Sequence, residues 1–169
     1  DSIDSFLRYH KKDIRLIDTA GLRKKSKITG DIEFYSTVRT FRVINDCDIA
    51  AVLIDADKGF NNQDKDIIRH VIDSGKGLII VVNKWDLLEK DTHTQKEYRQ
   101  DIIDQYPMLN YYPILFISIS HNLRTREVLK MTLTVFNERQ KKIKTVDVNE
   151  FIKMAMRHHS PPVIKSKNI

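Results

Sequence analysis

Cysteine and long apolar segments are scarce in this chain of 169 residues. The single cysteine, Cys47, cannot form an internal disulfide, which favours a protein of the reducing cytoplasm. The longest purely apolar run, residues 49–54, is far shorter than the ~20 residues that span a bilayer, so we expect no membrane partner. No secretion signal follows Asp1, and because that residue is not methionine we expect the chain to begin partway through a gene product.

Positive charge is concentrated in two segments rather than spread along the chain. The sequence has 29 Lys and Arg against 23 Asp and Glu, a net charge of +6. Seven basic residues accompany two acidic ones in residues 11–30, and eight accompany two in residues 139–169. Such segments are typical of proteins that bind RNA or phosphate groups, and equally of a solvated surface that maintains solubility. The charge pattern alone leaves both interpretations open.

Hydrophobic periodicity predicts that strands and helices alternate along the chain. We predict strands at 5–10, 13–18, 48–56, 78–82 and 114–118, and helices at 31–45, 62–74, 92–106, 124–141 and 148–157. A turn at Lys11-Lys12-Asp13 would join the first two strands. The unbroken apolar segment 48–56 is typical of a strand buried on both faces of a parallel sheet. The alternation indicates an α/β domain with a mostly parallel sheet, in which ligands bind at the carboxyl ends of the strands.

Two predicted strands end in sequences that suit a phosphate and a base. In Asp18-Thr19-Ala20-Gly21, the carboxylate can hold Mg²⁺ through water, and the glycine lets a backbone N–H approach a phosphate. In Asn83-Lys84-Trp85-Asp86, the Asp86 carboxylate can accept two N–H groups from the Watson–Crick edge of guanine, which adenine cannot supply. The Lys84 stem can cover the face of the base, and the Asn83 amide can bond N7 or brace neighbouring loops.

A third polar turn, Ser118-Ile119-Ser120, follows the next strand and can present a backbone N–H to the guanine O6. The three motifs stand in the order used by GTP-binding proteins, so the chain resembles the translation-factor-like GTPase superfamily. The segments DSID, LIDTAGLRKKSKI and VVNKWDLLEKD further resemble the second GTPase domain of the Der (EngA) family, in which two tandem GTPase domains precede a KH-like domain. The final segment VNEFIKMAMRHHSPPVIKSKNI resembles the start of that KH-like domain.

The resemblance implies a fold, a site and partners. The fold would be a P-loop NTPase-type (Ras-like) three-layer α/β/α domain at 1–143, followed by the start of a KH-like domain at 144–169. Nucleotide-binding residues would be Asp18, Thr19, Ala20, Gly21, Leu22, Asn83, Lys84, Asp86, Ser118, Ile119 and Ser120. Asp18 would hold Mg²⁺ through water, and some members of this class also use K⁺. Leu22 replaces a catalytic glutamine, so we identify no catalytic side chain, and hydrolysis would depend on positioning and electrostatics.

The chain departs from a complete GTPase because none of its five glycines stands in a G-x-x-x-x-G-K-[ST] phosphate-binding loop. The first strand of the sheet is missing with that loop, so we expect an exposed position in the sheet. We also expect this chain alone to bind GTP weakly or not at all, and not to hydrolyse it.

Two functions therefore stand as hypotheses. The first is a fragment of a monomeric cytoplasmic GTPase switch that binds GTP or GDP and acts, with ribosomal RNA as partner, in assembly of the large ribosomal subunit. The second is a degenerate module that binds RNA or protein without hydrolysis.

Overall fold

The computed structural model describes residues 4–17, 41–89, 91 and 93–158. The chain divides into two compact units, of which the first ends at Arg139 and the second begins at Gln140. The predicted helix 31–45 lies mostly outside the described residues, and its end is seen as helical residues 41–46. Within the described part, no helix is long and apolar enough to cross a membrane.

The first two strands form an antiparallel hairpin, β1 (Ser5–Tyr9) and β2 (Lys12–Leu16). Their turn is His10-Lys11, where both residues have positive φ, 48° and 62°. The predicted turn at Lys11-Lys12-Asp13 is therefore wrong. A two-residue turn with two positive φ angles matches the twist of paired strands, and it allows Lys12 to pair with Tyr9 instead of lying in the loop.

Among the described residues, three parallel strands form the sheet that positions the site: β3 (Ile49–Asp55), β4 (Gly77–Asn83) and β5 (Ile114–Phe116), in the order β3-β4-β5. The central strand β4 is buried at every residue except Asn83, which is partly buried. In the parallel register Asp55 lies opposite Asn83, and Val82 lies opposite Phe116. The polar residues that follow these strands are consequently brought to one edge of the sheet.

Burial of β3 on both faces, which the apolar run predicts, is wrong. Val52 and Ile54 are buried, whereas Ala51 and Leu53 are exposed. Among the described residues β3 pairs with β4 on one side alone, and β1 and β2 form a separate two-stranded sheet. An apolar run predicts that its residues are buried, but it does not show whether neighbouring elements cover both faces of the strand.

Helices cover the two faces of the sheet. They are α1 (Asn62–Asp73), α2 (Thr94–Gln105) and α3 (Thr125–Arg139), with short 3₁₀ helices at Trp85–Leu87 and Pro107–Tyr111. Ile68 and Val71 of α1 and Ile102 of α2 join the larger core on one face. Val128, Met131 and Val135 of α3 pack against Ile79 and Val81 on the other. The first unit is thus an α/β/α domain, and the predicted fold class is confirmed.

Local sequence explains where α1 begins and ends. The side chain of Asn61 accepts a hydrogen bond from the Asp64 backbone, and the Asp64 side chain accepts one from the Asn61 backbone, which forms a capping box. Gly75 has a φ of 63°, and its backbone N–H bonds to the Ile72 carbonyl just after the helix ends. The helix therefore ends just before the start of β4.

The second unit contains one described helix, α4 (Thr145–His158), which begins three residues before the predicted start at 148. Thr145 precedes Asp147 in its first turn, and Arg157 lies in its last turn, so the charges at both ends favour a helix. No residue of α4 is buried.

Candidate functional site

Six of the predicted site residues lie at the carboxyl ends of β4 and β5. They are Asn83, Lys84, Asp86, Ser118, Ile119 and Ser120. The other five, Asp18, Thr19, Ala20, Gly21 and Leu22, lie outside the described residues. The structure thus describes the part of the site predicted to bind the base, and the phosphate side stays a prediction.

The loop after β4 is fixed by the buried indole of Trp85. This side chain is 4% exposed, and its ring lies 4.5 Å from the ring of Phe116 and 5.5 Å from that of Tyr98. The Trp85 backbone N–H donates to the Ile117 carbonyl at 3.0 Å. Since Asp86 is the next residue, the packing of Trp85 determines where that carboxylate lies.

The two loops are joined by Asn83, whose Oδ1 accepts the Ile119 backbone N–H at 3.1 Å. Of the two roles that the sequence allows this amide, the structure shows the bracing of neighbouring loops. Within the second loop, Ser118 is fully buried and exchanges backbone hydrogen bonds with Leu123. The Ser118 hydroxyl lies 3.0 Å from that of Ser120. The turn 118–120 is therefore held in place on both sides.

Two residues that the sequence reasoning missed contact this set. His121 Nδ1 lies 3.2 Å from Asp86 Oδ2, and Lys84 Nζ lies 2.7 Å from Asp55 Oδ2. The position of each residue in the sequence could have indicated that it lies near the site. His121 directly follows the polar turn, and Asp55 ends the strand next to Asn83. Neither signal, however, indicates which residue the side chain contacts.

The backbone of Lys84 has a φ of 61°, which lies in the left-handed region. The hydrogen bond from its ammonium lowers the pKa of Asp55 below the ordinary value. Burial acts in the opposite direction, and the Asp57 backbone N–H adds to the lowering. The same bond raises the pKa of Lys84. The ammonium group therefore stabilises the ionised carboxylate at the end of β3.

Replacing Lys84 by methionine should raise the pKa of Asp55 toward its ordinary value, because the main stabilising donor is removed. Since the pKa of Asp55 is depressed in the folded protein, this pair stabilises the fold above the pKa of unfolded Asp55 and ceases to do so as pH falls through the folded value. NMR titration of the Asp55 carboxyl carbon measures the shift. Lys58→Met is the matched control, since Lys58 acts on Asp55 through charge alone. An unchanged Asp55 titration in Lys84→Met would contradict the assignment.

The described residues contain no group of three or more His, Cys, Asp or Glu side chains that could hold a metal ion. The predicted Mg²⁺ residue, Asp18, lies outside them. The described side chains therefore give no support for a metal ion at this site.

The chain is similar in sequence to known proteins over most of its length. Residues 3–138 match the family model described as "Elongation factor Tu GTP binding domain". The chain is 45% identical over 166 residues to GTPase Der of Chlorobium phaeobacteroides, an alignment that covers 98% of this chain and 38% of the relative. It is 40% identical over 164 residues to GTPase Der of Clostridium tetani, covering 97% and 37%. The chain thus spans less than two fifths of the length of these relatives.

Among solved structures, the fold is similar to that of Era in complex with MgGDPNP and nucleotides 1506–1542 of 16S ribosomal RNA. The TM-score is 0.66 at 20% identity, over 79% of this chain and 44% of Era. At this identity the similarity concerns the fold.

Proposed function

Since the chain belongs to the family of the elongation factor Tu GTP binding domain, we propose that it is the base-recognising part of a GTP-binding and GTP-hydrolysing switch. The observation that carries the proposal is the joining of the 83–86 and 118–120 loops by the Asn83–Ile119 hydrogen bond. It brings the Asp86 carboxylate and the polar turn to the same edge of the sheet. Asp86 can accept the N1–H and N2–H of guanine, and the turn can donate to its O6 through a backbone N–H other than those of Ser118 and Ile119, which already bond to Leu123 and Asn83.

Selectivity for guanine follows from the charge of Asp86. A carboxylate has only acceptors, and guanine offers two N–H donors at neighbouring positions, whereas adenine offers an acceptor at N1. Hydrogen bonds to a charged group contribute about 1.5–3 kcal/mol each, so a guanine base should be preferred over adenine by a large factor. Asn83 and Lys84 support this edge, the first by bracing the loop and the second by lying beside the base.

The phosphate side of the proposal rests on sequence. Asp18 through Leu22 would contact the phosphates and Mg²⁺, and hydrolysis by the family would proceed without a general-base side chain, with K⁺ as an aid in some members. Because the chain has no G-x-x-x-x-G-K-[ST] motif, the β- and γ-phosphates lack most of their counter-charge. We therefore propose that this chain alone binds GTP weakly or not at all and does not hydrolyse it.

For the whole protein we propose a cytoplasmic, monomeric switch in large-subunit ribosome assembly that contacts ribosomal RNA, with the KH-like start at 144–169. The similarity to GTPase Der over nearly the whole chain supports this role. Era, whose fold is similar, is seen with 16S ribosomal RNA, which shows RNA contact for this fold and does not bear on the choice of ribosomal subunit. On α4 the basic residues Lys153 and Arg157 are exposed, as contact with a phosphate backbone requires.

Titration of the 169-residue chain with GMP and with AMP tests the base-recognition proposal. A mononucleotide held mainly through its base should bind weakly, with a Kd in the millimolar range or above, about −4 kcal/mol at most, which NMR amide shifts can measure. We expect GMP to shift amides at 83–86 and 118–121, and AMP to leave them unchanged. Equal binding of both nucleotides, or no shift with GMP, would favour an interaction module without nucleotide recognition. GTP hydrolysis in a single-turnover assay would contradict the proposed inactivity of this chain.

A further inference from the structure

The imidazole of His121 contacts the carboxylate proposed to recognise the base. Its Nδ1 lies 3.2 Å from Asp86 Oδ2, 3.3 Å from Ser118 Oγ and 3.2 Å from Ser120 Oγ. Its backbone N–H donates to Ser118 Oγ at 3.2 Å. The imidazole is therefore placed between the carboxylate and the polar turn, which are the two groups that would bind opposite ends of the guanine edge.

The chemistry of these contacts assigns the proton on Nδ1 to Asp86. A carboxylate only accepts hydrogen bonds, whereas the two serine hydroxyls can donate as well as accept, so the carboxylate is the preferred partner of an Nδ1–H. A guanine N–H would also have to lie within hydrogen-bond distance of this carboxylate. With the proton on Nδ1, His121 lies within hydrogen-bond distance of an oxygen that the base would use.

We propose that His121 is a gate on the guanine site, an internal donor that occupies Asp86 and must rotate away when a guanine base binds. This inference rests on the proposed function, since it assigns a role within the same site. Guanine then binds only the fraction of molecules in which the imidazole has left the carboxylate, and the apparent affinity is reduced by that fraction.

The solvent exposure of the His121 side chain and the groups that hold it indicate that this side chain can move. The His121 side chain is 68% exposed, whereas that of Asp86 is 18% exposed. The imidazole is held through hydroxyls of its own loop, Ser118 and Ser120, and belongs to neither buried core cluster. Rotation of an exposed side chain such as that of His121 breaks few packing contacts. Rotation of Asp86, the less exposed of the two, would break more. The imidazole, rather than the carboxylate, is the group that moves.

The test is a GMP titration of the full chain carrying His121→Ala. Removing the internal donor should lower the Kd for GMP about three- to tenfold, as expected when a hydrogen bond that competes with the ligand is lost. His121→Asn keeps an N–H donor near the position of Nδ1 and should bind GMP like the wild-type chain. His158→Ala, on α4 of the second unit, is the control for loss of an exposed imidazole and should not change the Kd.

A spectroscopic readout separates displacement from a merely structural effect. On saturation with GMP, the Nδ1 signal of His121 should shift to that of an imidazole without a carboxylate partner, while the signal of His158 stays constant. Weaker GMP binding by His121→Ala, or an Nδ1 signal unchanged at saturation, would overturn the gate.

The parent proposal is tested separately with Asp86→Asn. If Asp86→Asn loses GMP binding while His121→Ala leaves the Kd unchanged, the gate fails and guanine recognition stands. If Asp86→Asn binds GMP as well as the wild-type chain does, base recognition by Asp86 itself fails.

Discussion

Replacing Asp86 by asparagine should invert the base preference of the chain from GMP to XMP. In the proposed site the carboxylate would accept both guanine N–H groups, but an amide offers one acceptor and one donor, so a guanine donor would meet the amide NH₂. Xanthine carries a carbonyl in place of the guanine amino group and can accept that donor. We expect GMP affinity to fall at least about 100-fold, because a site built for a hydrogen bond strongly rejects a mismatched partner.

The measurement for Asp86→Asn is a pair of NMR titrations with GMP and XMP, followed at the amides of 83–86 and 118–121. At millimolar wild-type affinity, the loss appears as the absence of saturation with GMP, and the gain as shifts with XMP. Asp101→Asn, which removes one exposed carboxylate from α2, is the matched control and should keep the wild-type preference. Retention of the GMP preference by Asp86→Asn would show that another group reads the base.

Replacing Trp85 by alanine should lower the free energy of unfolding of the first unit by about 3–5 kcal/mol. The indole is 4% exposed and lies between Phe116 and Tyr98. Its removal leaves a cavity where a strand, a helix and the recognition loop meet, and that loop should lose its fixed position together with the fold stability. GMP binding should consequently weaken even though residue 85 itself makes no predicted contact with the base.

Urea unfolding followed by far-UV circular dichroism measures this effect, since Trp85 is the only tryptophan and its fluorescence is lost on substitution. Trp85→Phe is the conservative variant. It keeps an aromatic ring against Phe116 and should recover a large part of the lost stability. A loss below about 1 kcal/mol in Trp85→Ala would contradict the role of the indole as the anchor of this loop, because surface substitutions lie in that range.

The positions of the parallel strands and of the motif at 83–86 were predictable from the sequence, because a polar residue follows the apolar run of each strand. Leu78–Val82 followed by Asn83 is such a case, and β4 is indeed the central, buried strand. The burial of β3 was mispredicted because Ala51 and Leu53 are apolar yet exposed, and the apolar character of a residue does not show how much of it a neighbouring element covers.

Contacts between the loops were beyond sequence reasoning for a different reason. His121 is 35 positions from Asp86 and Lys84 is 29 from Asp55, and both pairs depend on the backbone angles of the intervening turns. The left-handed φ of Lys84 is one such angle, and lysine has no particular preference for it. The hairpin turn at His10-Lys11 was missed likewise, since neither residue is a glycine or asparagine of the kind that usually marks such turns.

The Asn83–Ile119 hydrogen bond, which joins the two loops, also bears on how base preference could be transferred between related proteins. Every described group assigned to the base, from Asn83 and Asp86 to the turn at Ser118 and the imidazole of His121, lies in one uninterrupted stretch of the chain. The buried side chains of β4 that support this stretch come just before it. A single exchange of this contiguous segment between related proteins would transfer the proposed base recognition as one unit. The residues predicted to contact the phosphates, at 18–22, lie outside the segment and would stay unchanged.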